Sequence, residues 1–239
     1  AVNDAFRFSG GFEFALSDTL TLNVDGTFWE SDREAYAPGI IGSRLQAALN
    51  GFGGPDCTGT TAGENGCLWF NPFANAGTRE QESQFVFDMV LAGETGIQLG
   101  GGPLAFAVGT QFRDTRYSSD PIIPESNLDI NPCFIEGDQS CVGTTTEGVG
   151  PFIFLGGSRP VKLKQDVYAF FAEVNAPITD RLELSAAIRF EDYGSPIGST
   201  INPKGSARFE VTDWLTLRGS VGTTFRGPLA SNVSPNFVT

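Results

Sequence analysis

The sequence predicts an all-β protein, an antiparallel up-and-down meander of about eight long strands that belongs to a large transmembrane β-barrel. Apolar and polar residues alternate with a period of two in eight separate runs. These runs reach about 11–14 residues, whereas a usual strand has about 5–6 and a tilted barrel strand needs about 9–11. Tight turns also alternate with longer connections along the chain, which is typical of barrels in bacterial outer membranes.

Each run places apolar side chains on one face and polar side chains on the other. The sixth run is the clearest: Leu182, Leu184 and Ile188 face one way, while Glu183 and Arg189 face the other. The eight predicted strands are Ala5–Leu16, Leu20–Glu30, Ser83–Gly93, Leu104–Tyr117, Leu163–Ala176, Arg181–Tyr193, Asn202–Val211 and Trp214–Arg226.

The connections predict which ends of the strands lie together. Tight turns join runs one and two, three and four, five and six, and seven and eight. Long segments, Ser31–Glu82 and Ser118–Lys162, and a medium loop, Gly194–Ile201, join the other pairs. In a meander, alternate connections lie at the same end, so the tight turns are expected at the periplasmic end and the longer loops outside. A soluble β-sandwich or jelly roll also alternates and is the alternative, although loops of about 45–50 residues are rare in compact domains.

The composition excludes several classes of function. The formal net charge is -13, which argues against nucleic acid as a partner because phosphates require a basic surface. The chain has no His, and it contains no nucleophile elbow, P-loop, zinc-protease motif or dinucleotide-binding fingerprint. We therefore expect no enzyme activity, no cofactor and no metal site.

Four cysteines form two close pairs in Gly-rich segments. Cys57 lies near Cys67, and Cys133 lies near Cys141, with neither pair at the spacing of a zinc or redox site. Two local disulfides in an oxidising compartment are the natural interpretation, and four unpaired thiols are the alternative.

The last third of the chain carries a family resemblance. Four segments resemble, in this order, segments of TonB-dependent outer-membrane receptors: Asp166–Pro177 (DVYAFFAEVNAP), Leu182–Tyr193 (LELSAAIRFEDY), Asn202–Lys204 and Asp213–Pro228 (DWLTLRGSVGTTFRGP). Leu45–Phe73, which ends in Phe70–Phe73, and Gly101–Arg113 give weaker support. The resemblance implies a barrel of 22 strands in the outer membrane around an N-terminal plug. It also implies energised uptake of a scarce ligand, such as a ferric siderophore, cobalamin or an oligosaccharide, through contact of the plug with the inner-membrane TonB complex. Residues 1–239 would then be one partial barrel domain, without the plug and the C-terminal strands.

Two groups of residues are candidates for function. Charged residues on the polar face of the last strands would face the lumen and the plug, and a hydrated lining without a specific partner is the alternative: Arg189, Glu191, Arg208, Glu210 and Arg218. Aromatic residues in the predicted long loop would contact the ligand, or else pack the loop: Tyr36, Trp69, Phe70 and Phe73. A passive porin, an outer-membrane enzyme barrel and a soluble carbohydrate-binding β protein remain as alternative functions.

Overall fold

Eight antiparallel strands form one sheet, and they lie side by side in the order in which they occur along the chain. The computed structural model describes residues 1–49, 73–143 and 150–228. The predicted meander is confirmed. A helix, α1 (Gly42–Leu49), follows the second strand, and a 3-10 helix (Pro124–Ser126) follows the fourth. The strands are β1 (Val2–Ser17), β2 (Leu20–Ile40), β3 (Phe73–Leu99), β4 (Gly102–Pro121), β5 (Val161–Thr179), β6 (Leu182–Asp192), β7 (Ser199–Thr212) and β8 (Leu215–Gly222).

The register places the apolar rows of all eight strands on the same face of the sheet, here called the outer face. Phe8 lies opposite Phe28, which lies opposite Phe85 on the next strand. At the other side of the sheet, Leu182 lies opposite Phe209. A shift by one residue at any pairing would transfer the next apolar row to the opposite face. The registers therefore agree with the alternation seen in the sequence.

The outer face is not covered by any other element of the described chain. Phe8 is 73% exposed, Phe12 is 71% exposed and Phe170 is 56% exposed. Soluble monomers rarely expose apolar patches above about 300–600 Å², and a sandwich would bury such a face under a second sheet. The apolar row of β1 runs from Leu16 to Phe6, about 34 Å along the strand and about 26 Å in height at a tilt of about 40°, which matches the apolar band of a membrane barrel. No second sheet covers this face within the described residues, which favours a membrane barrel over a soluble sandwich.

The strands continue beyond this apolar belt, where the prediction of a long Ser31–Glu82 connection is wrong at both ends. Ser31 pairs with Glu82 and the ladder continues to Ile40 opposite Phe73. Period two is lost there because both faces are polar, so the alternation no longer marks a strand. Ion pairs and polar contacts support this part of the ladder instead, including Arg33–Glu80 at 3.5 Å.

The loops beyond β2 and β4 share a small core at the same end of the sheet. Ile41 and Phe152 are fully buried against each other and form an isolated β-bridge. Two backbone bonds of 2.9 Å join the same segments, from the Gly42 N–H to the Pro151 carbonyl and from the Ile153 N–H to the Ile40 carbonyl. The described loops therefore form one packed unit above the belt. None of the helices in the described ranges is long and apolar enough to cross a membrane.

One of the two predicted disulfides lies within this loop unit. Cys133 and Cys141 are bonded, with Cα atoms 5.7 Å apart. This confirms the prediction for that pair, whereas Cys57 and Cys67 lie outside the described residues.

Candidate functional site

The polar rows of the strands form the opposite face of the sheet, here called the inner wall. All five charged residues predicted to face the lumen lie on this wall: Arg189, Glu191, Arg208, Glu210 and Arg218. Their surroundings differ. Glu191 is only 7% exposed, whereas Arg218 lies on the exposed strand β8.

A buried carboxylate organises the inner wall at β4–β6. The Glu191 carboxylate accepts hydrogen bonds from Arg113 Nη2 at 3.3 Å and from the Tyr193 hydroxyl at 2.9 Å. Its Oε1 also lies 3.1 Å from Arg189 Nη2. A charge taken out of water is tolerated only when it is paired and hydrogen-bonded, and here two cations and a hydroxyl meet this requirement. Glu191 is therefore held by the wall itself.

Arg189 extends this network across the sheet towards β3. Its Nη2 donates to Gln111 Oε1 at 2.9 Å, and Gln111 Nε2 donates to Asp88 Oδ1 at 2.6 Å. The guanidinium carbon of Arg189 also lies 5.9 Å from the centre of the Phe171 ring, within the range of a cation–π contact. That ring lies against Gly109, where an added Cβ would be 2.5 Å from it. The side chain of Phe171 fits flat on the wall because residue 109 has no side chain.

Residues 223–228, which follow β8, fold back over the inner wall. The Phe225 ring meets the Tyr193 ring edge-on, with centroids 5.6 Å apart. Gly227 lies so close to Tyr193 that an added Cβ would be 2.2 Å from its ring. A cavity of about 330 Å³ separates this segment from the wall and is lined in part by Gln84 and Arg113. The predicted eighth strand, Trp214–Arg226, is too long because the chain leaves the sheet after Gly222.

A second charged group lies nearer the tight turns. Arg208 and Arg218 face each other directly across β7 and β8. Like charges in this position repel. Arg208 is compensated by a hydrogen bond to Glu210 and by Glu183 at 3.9 Å. Arg218 has no such partner among the described residues, so its donors remain available.

The family comparison agrees with this geometry. Residues 2–239 match the family model described as TonB dependent receptor-like, beta-barrel. The chain belongs to this receptor family. No curated protein matches it.

Two solved structures of larger proteins share the fold. The siderophore receptor PirA from Acinetobacter baumannii is 16% identical, with a TM-score of 0.52 over 95% of this chain and 25% of that chain. The RagAB peptide transporter is 11% identical, with a TM-score of 0.50 over 92% of this chain and 23% of that one. The chain thus spans about a quarter of the length of these relatives. At such low identity the likeness shows the fold alone.

The aromatic candidates for ligand binding in this receptor chain are not all in a loop. Tyr36 lies within β2 and is 49% exposed, and Phe73 is the first residue of β3. Both positions correct the prediction, because the two strands are longer than the alternation indicates. Trp69 and Phe70 lie outside the described residues.

The disulfide-bonded loop of the receptor exposes an apolar surface that the sequence reasoning missed. Phe134 and Ile135 follow Cys133 directly, and they are 53% and 58% exposed. Val142, next to Cys141, is 53% exposed. Apolar residues beside a cysteine in a water-facing loop were the available signal. Such residues on a rigid loop suit contact with a ligand or partner.

An ion-pair cluster fixes this loop to the helix of the neighbouring loop. Arg44 Nε donates to Glu136 Oε2 at 2.8 Å, and Arg44 Nη2 donates to Glu125 Oε1 at 2.7 Å. The hydrogen bond to Glu136 is the main cause that raises the pKa of Arg44, and the bond to Glu125 adds to it. The contacts join α1 to two points in the first half of the loop between β4 and β5, so the apolar surface is presented on a preformed support.

Proposed function

We propose that the chain forms part of the wall of an outer-membrane receptor that takes up a scarce ligand by an energy-coupled mechanism. The observation that carries the proposal is the separation of an uncovered apolar face from a charged, hydrogen-bonded inner wall in a chain of this receptor family. Lipid offers no hydrogen bonds, so strands in a membrane must pair into a closed wall. A ferric siderophore, cobalamin and an oligosaccharide are the candidate ligands.

The family comparison supports transport rather than catalysis. One relative of the same fold is called a siderophore receptor and the other a peptide transporter. Both names describe capture or movement of a solute. We infer the same class of function here and leave the ligand to experiment.

The partners follow from the same proposal. The inner wall would contact the N-terminal plug that the resemblance implies, and the plug would contact the inner-membrane TonB complex. Arg218 is the strongest wall candidate because it has no partner among the described residues, and an acidic side chain of the plug would compensate it. Trp69, Phe70 and the loop surface around Phe134 would contact the incoming ligand, whereas Tyr36 lies in the same outer-face row of β2 as Phe28.

Growth of a strain that lacks the full-length gene tests the proposal. The strain is supplied with one candidate ligand at a time as the limiting nutrient, at concentrations too low for passive entry. We expect growth on one ligand to be lost on deletion, and to be lost equally when the energy-coupling complex is inactivated. Uptake that survives inactivation of the complex would indicate a passive porin. Normal growth of the deletion strain on every candidate would contradict uptake of these ligands.

A further inference from the structure

The basic residues on the outer face of the described strands all lie beyond the apolar belt. They are Arg79, Arg116, Lys162 and Lys164, on β3, β4 and β5. Arg79 is paired with Glu34. The other three lie together on two adjacent strands and are here called the basic patch.

The patch retains unpaired donors although Asp114 and Asp166 lie on the same face, between the patch and the apolar belt. Lys164 Nζ is shared between Asp114 at 3.1 Å and Asp166 at 2.9 Å. Arg116 uses only its Nε, at 2.9 Å from Asp114, and its side chain is 67% exposed. Lys162 has no ion-pair partner in the described ranges. The terminal nitrogens of Arg116 and the ammonium group of Lys162 are therefore available to an anion.

The backbone of the patch lies just beyond the layer of lipid headgroups, and Lys162 is two residues further from the belt than Lys164. On these strands the belt ends at Phe112 and Tyr168, whose ring centroids are 5.1 Å apart. Arg116 and Lys164 are four residues further along, about 13 Å along the strand and about 10 Å in height at a tilt of about 40°. The polar layer of a bilayer is about 5–8 Å deep on each side, and long basic side chains can extend back towards it.

The surface below the patch suits acyl chains. Tyr168 is 52% exposed, Phe170 is 56% exposed and Ile188, on the next strand, is 49% exposed. A ligand that reached from the patch to these side chains would need an anionic head and an apolar tail. Free phosphate would contact only the basic patch, and a hydrocarbon would contact only the apolar side chains below it.

We propose that the basic patch binds the phosphate group of a membrane lipid, and that the acyl chains of this lipid lie on the apolar belt below. The guanidinium of Arg116 provides paired donors for two phosphate oxygens, and Lys162 adds a second charge across the strand pair. The site is independent of the transported ligand, because it lies on the outer face of the sheet and not on the inner wall.

Native mass spectrometry of the full-length receptor tests this site. The protein is exchanged from nanodiscs of phosphatidylcholine with 20 mol% phosphatidylglycerol (about one lipid in five) into neutral detergent, and the retained lipids are counted. The test variant is R116A/K162A. The matched control is R7A/K204A, which removes two positive charges from the inner wall. Resistance of the barrel to unfolding in SDS verifies that each variant is folded.

We expect the wild type and the control to retain phosphatidylglycerol in preference to phosphatidylcholine. The test variant should lose about 30-fold in apparent affinity for phosphatidylglycerol, since each basic residue at an anionic lipid surface contributes roughly a factor of five. Retention of phosphatidylcholine should not change. Equal retention of the two lipids by the wild type, or an equal loss in the test variant and the control, would overturn the proposal. Binding of inorganic phosphate alone with the same affinity would also overturn it, because the acyl chains would then contribute nothing.

Discussion

Adjacent alanines on β6 provide a direct test of which face of the sheet meets lipid. Ala186 lies on the outer face between Val174 and Gly205, four residues from each end of the β6 apolar row. Ala187 lies on the inner wall between Glu173 and Lys204. The same substitution, Ala to Arg, can therefore be made at neighbouring positions on opposite faces.

The expected difference follows from depth in the membrane. A186R places a guanidinium near the middle of the belt, where Arg on the lipid face of a barrel costs about 2–4 kcal/mol. A187R places it on the polar wall beside one carboxylate and one ammonium group, so attraction and repulsion largely offset each other. We expect a change in the free energy of unfolding within about 0.5 kcal/mol for this variant, as for an ordinary exposed substitution.

Urea unfolding of the full-length receptor, folded in phosphatidylcholine vesicles and followed by tryptophan fluorescence, measures both free energies. The slope with urea should be unchanged, so that a lower midpoint reports stability alone. Equal costs at the two positions would show that both faces meet the same solvent. A larger cost for A187R would reverse the assignment of the faces. Either result would refute the membrane argument.

Three further predictions concern contacts within the wall and the loops. Replacing both Cys133 and Cys141 by serine should lower the local stability of their loop by about 2–3 kcal/mol, because the unfolded loop is then no longer closed by a disulfide. Hydrogen exchange of the loop amides measures this loss, and unchanged protection would contradict it. G109A should lower the free energy of unfolding by about 1–3 kcal/mol because the added Cβ forces the ring of Phe171 off the wall. Adding F171A should recover part of this loss in urea unfolding, whereas purely additive losses would argue against the contact. Y193F should cost about 1–3 kcal/mol because the buried carboxylate beside it loses a hydrogen bond; a thermal midpoint equal to that of the wild type would show that the bond does not contribute.

The sequence was sufficient to predict the strands of the apolar belt because contact with lipid requires one regular pattern of side chains. Every second side chain must be apolar, and the pattern therefore shows both the strand and its faces. In β6 the predicted range, Arg181–Tyr193, differs from the structure by one residue at each end. The strand order followed from the alternation of tight and long connections.

The sequence was insufficient beyond the belt because both faces of the strands meet water there. The upper part of β2 has polar side chains on both faces and is stabilised by pairing with β3 across a long sequence separation. Arg33 and Glu80 make such a pair although 47 residues separate them. Local periodicity contains no information about a contact of this kind.

For the residues of the inner wall, the sequence predicted the face of the sheet but not the contacts made there. Alternation placed Glu191 and Arg218 on the polar face of the sheet, where the register also has them. It could not show that Arg113, 78 positions from Glu191 in the sequence, would pair with it. Nor could it show that residues 223–228 would fold back over Tyr193 instead of continuing β8.

Ion pairs and hydrogen bonds within the wall determine which of its charged residues are the better candidates for contact with a plug. A charge that is already buried and satisfied, such as Glu191, can contribute to a second partner only by giving up hydrogen bonds, and each lost bond at a charged group costs about 1.5–3 kcal/mol. Arg218 has no such bond to lose among the described residues, and its repulsion from Arg208 would be relieved by a carboxylate placed between them. The charged residues near the buried carboxylate therefore hold the sheet and its returning segment together. Arg218 on β8 keeps the donors that the proposed plug would engage.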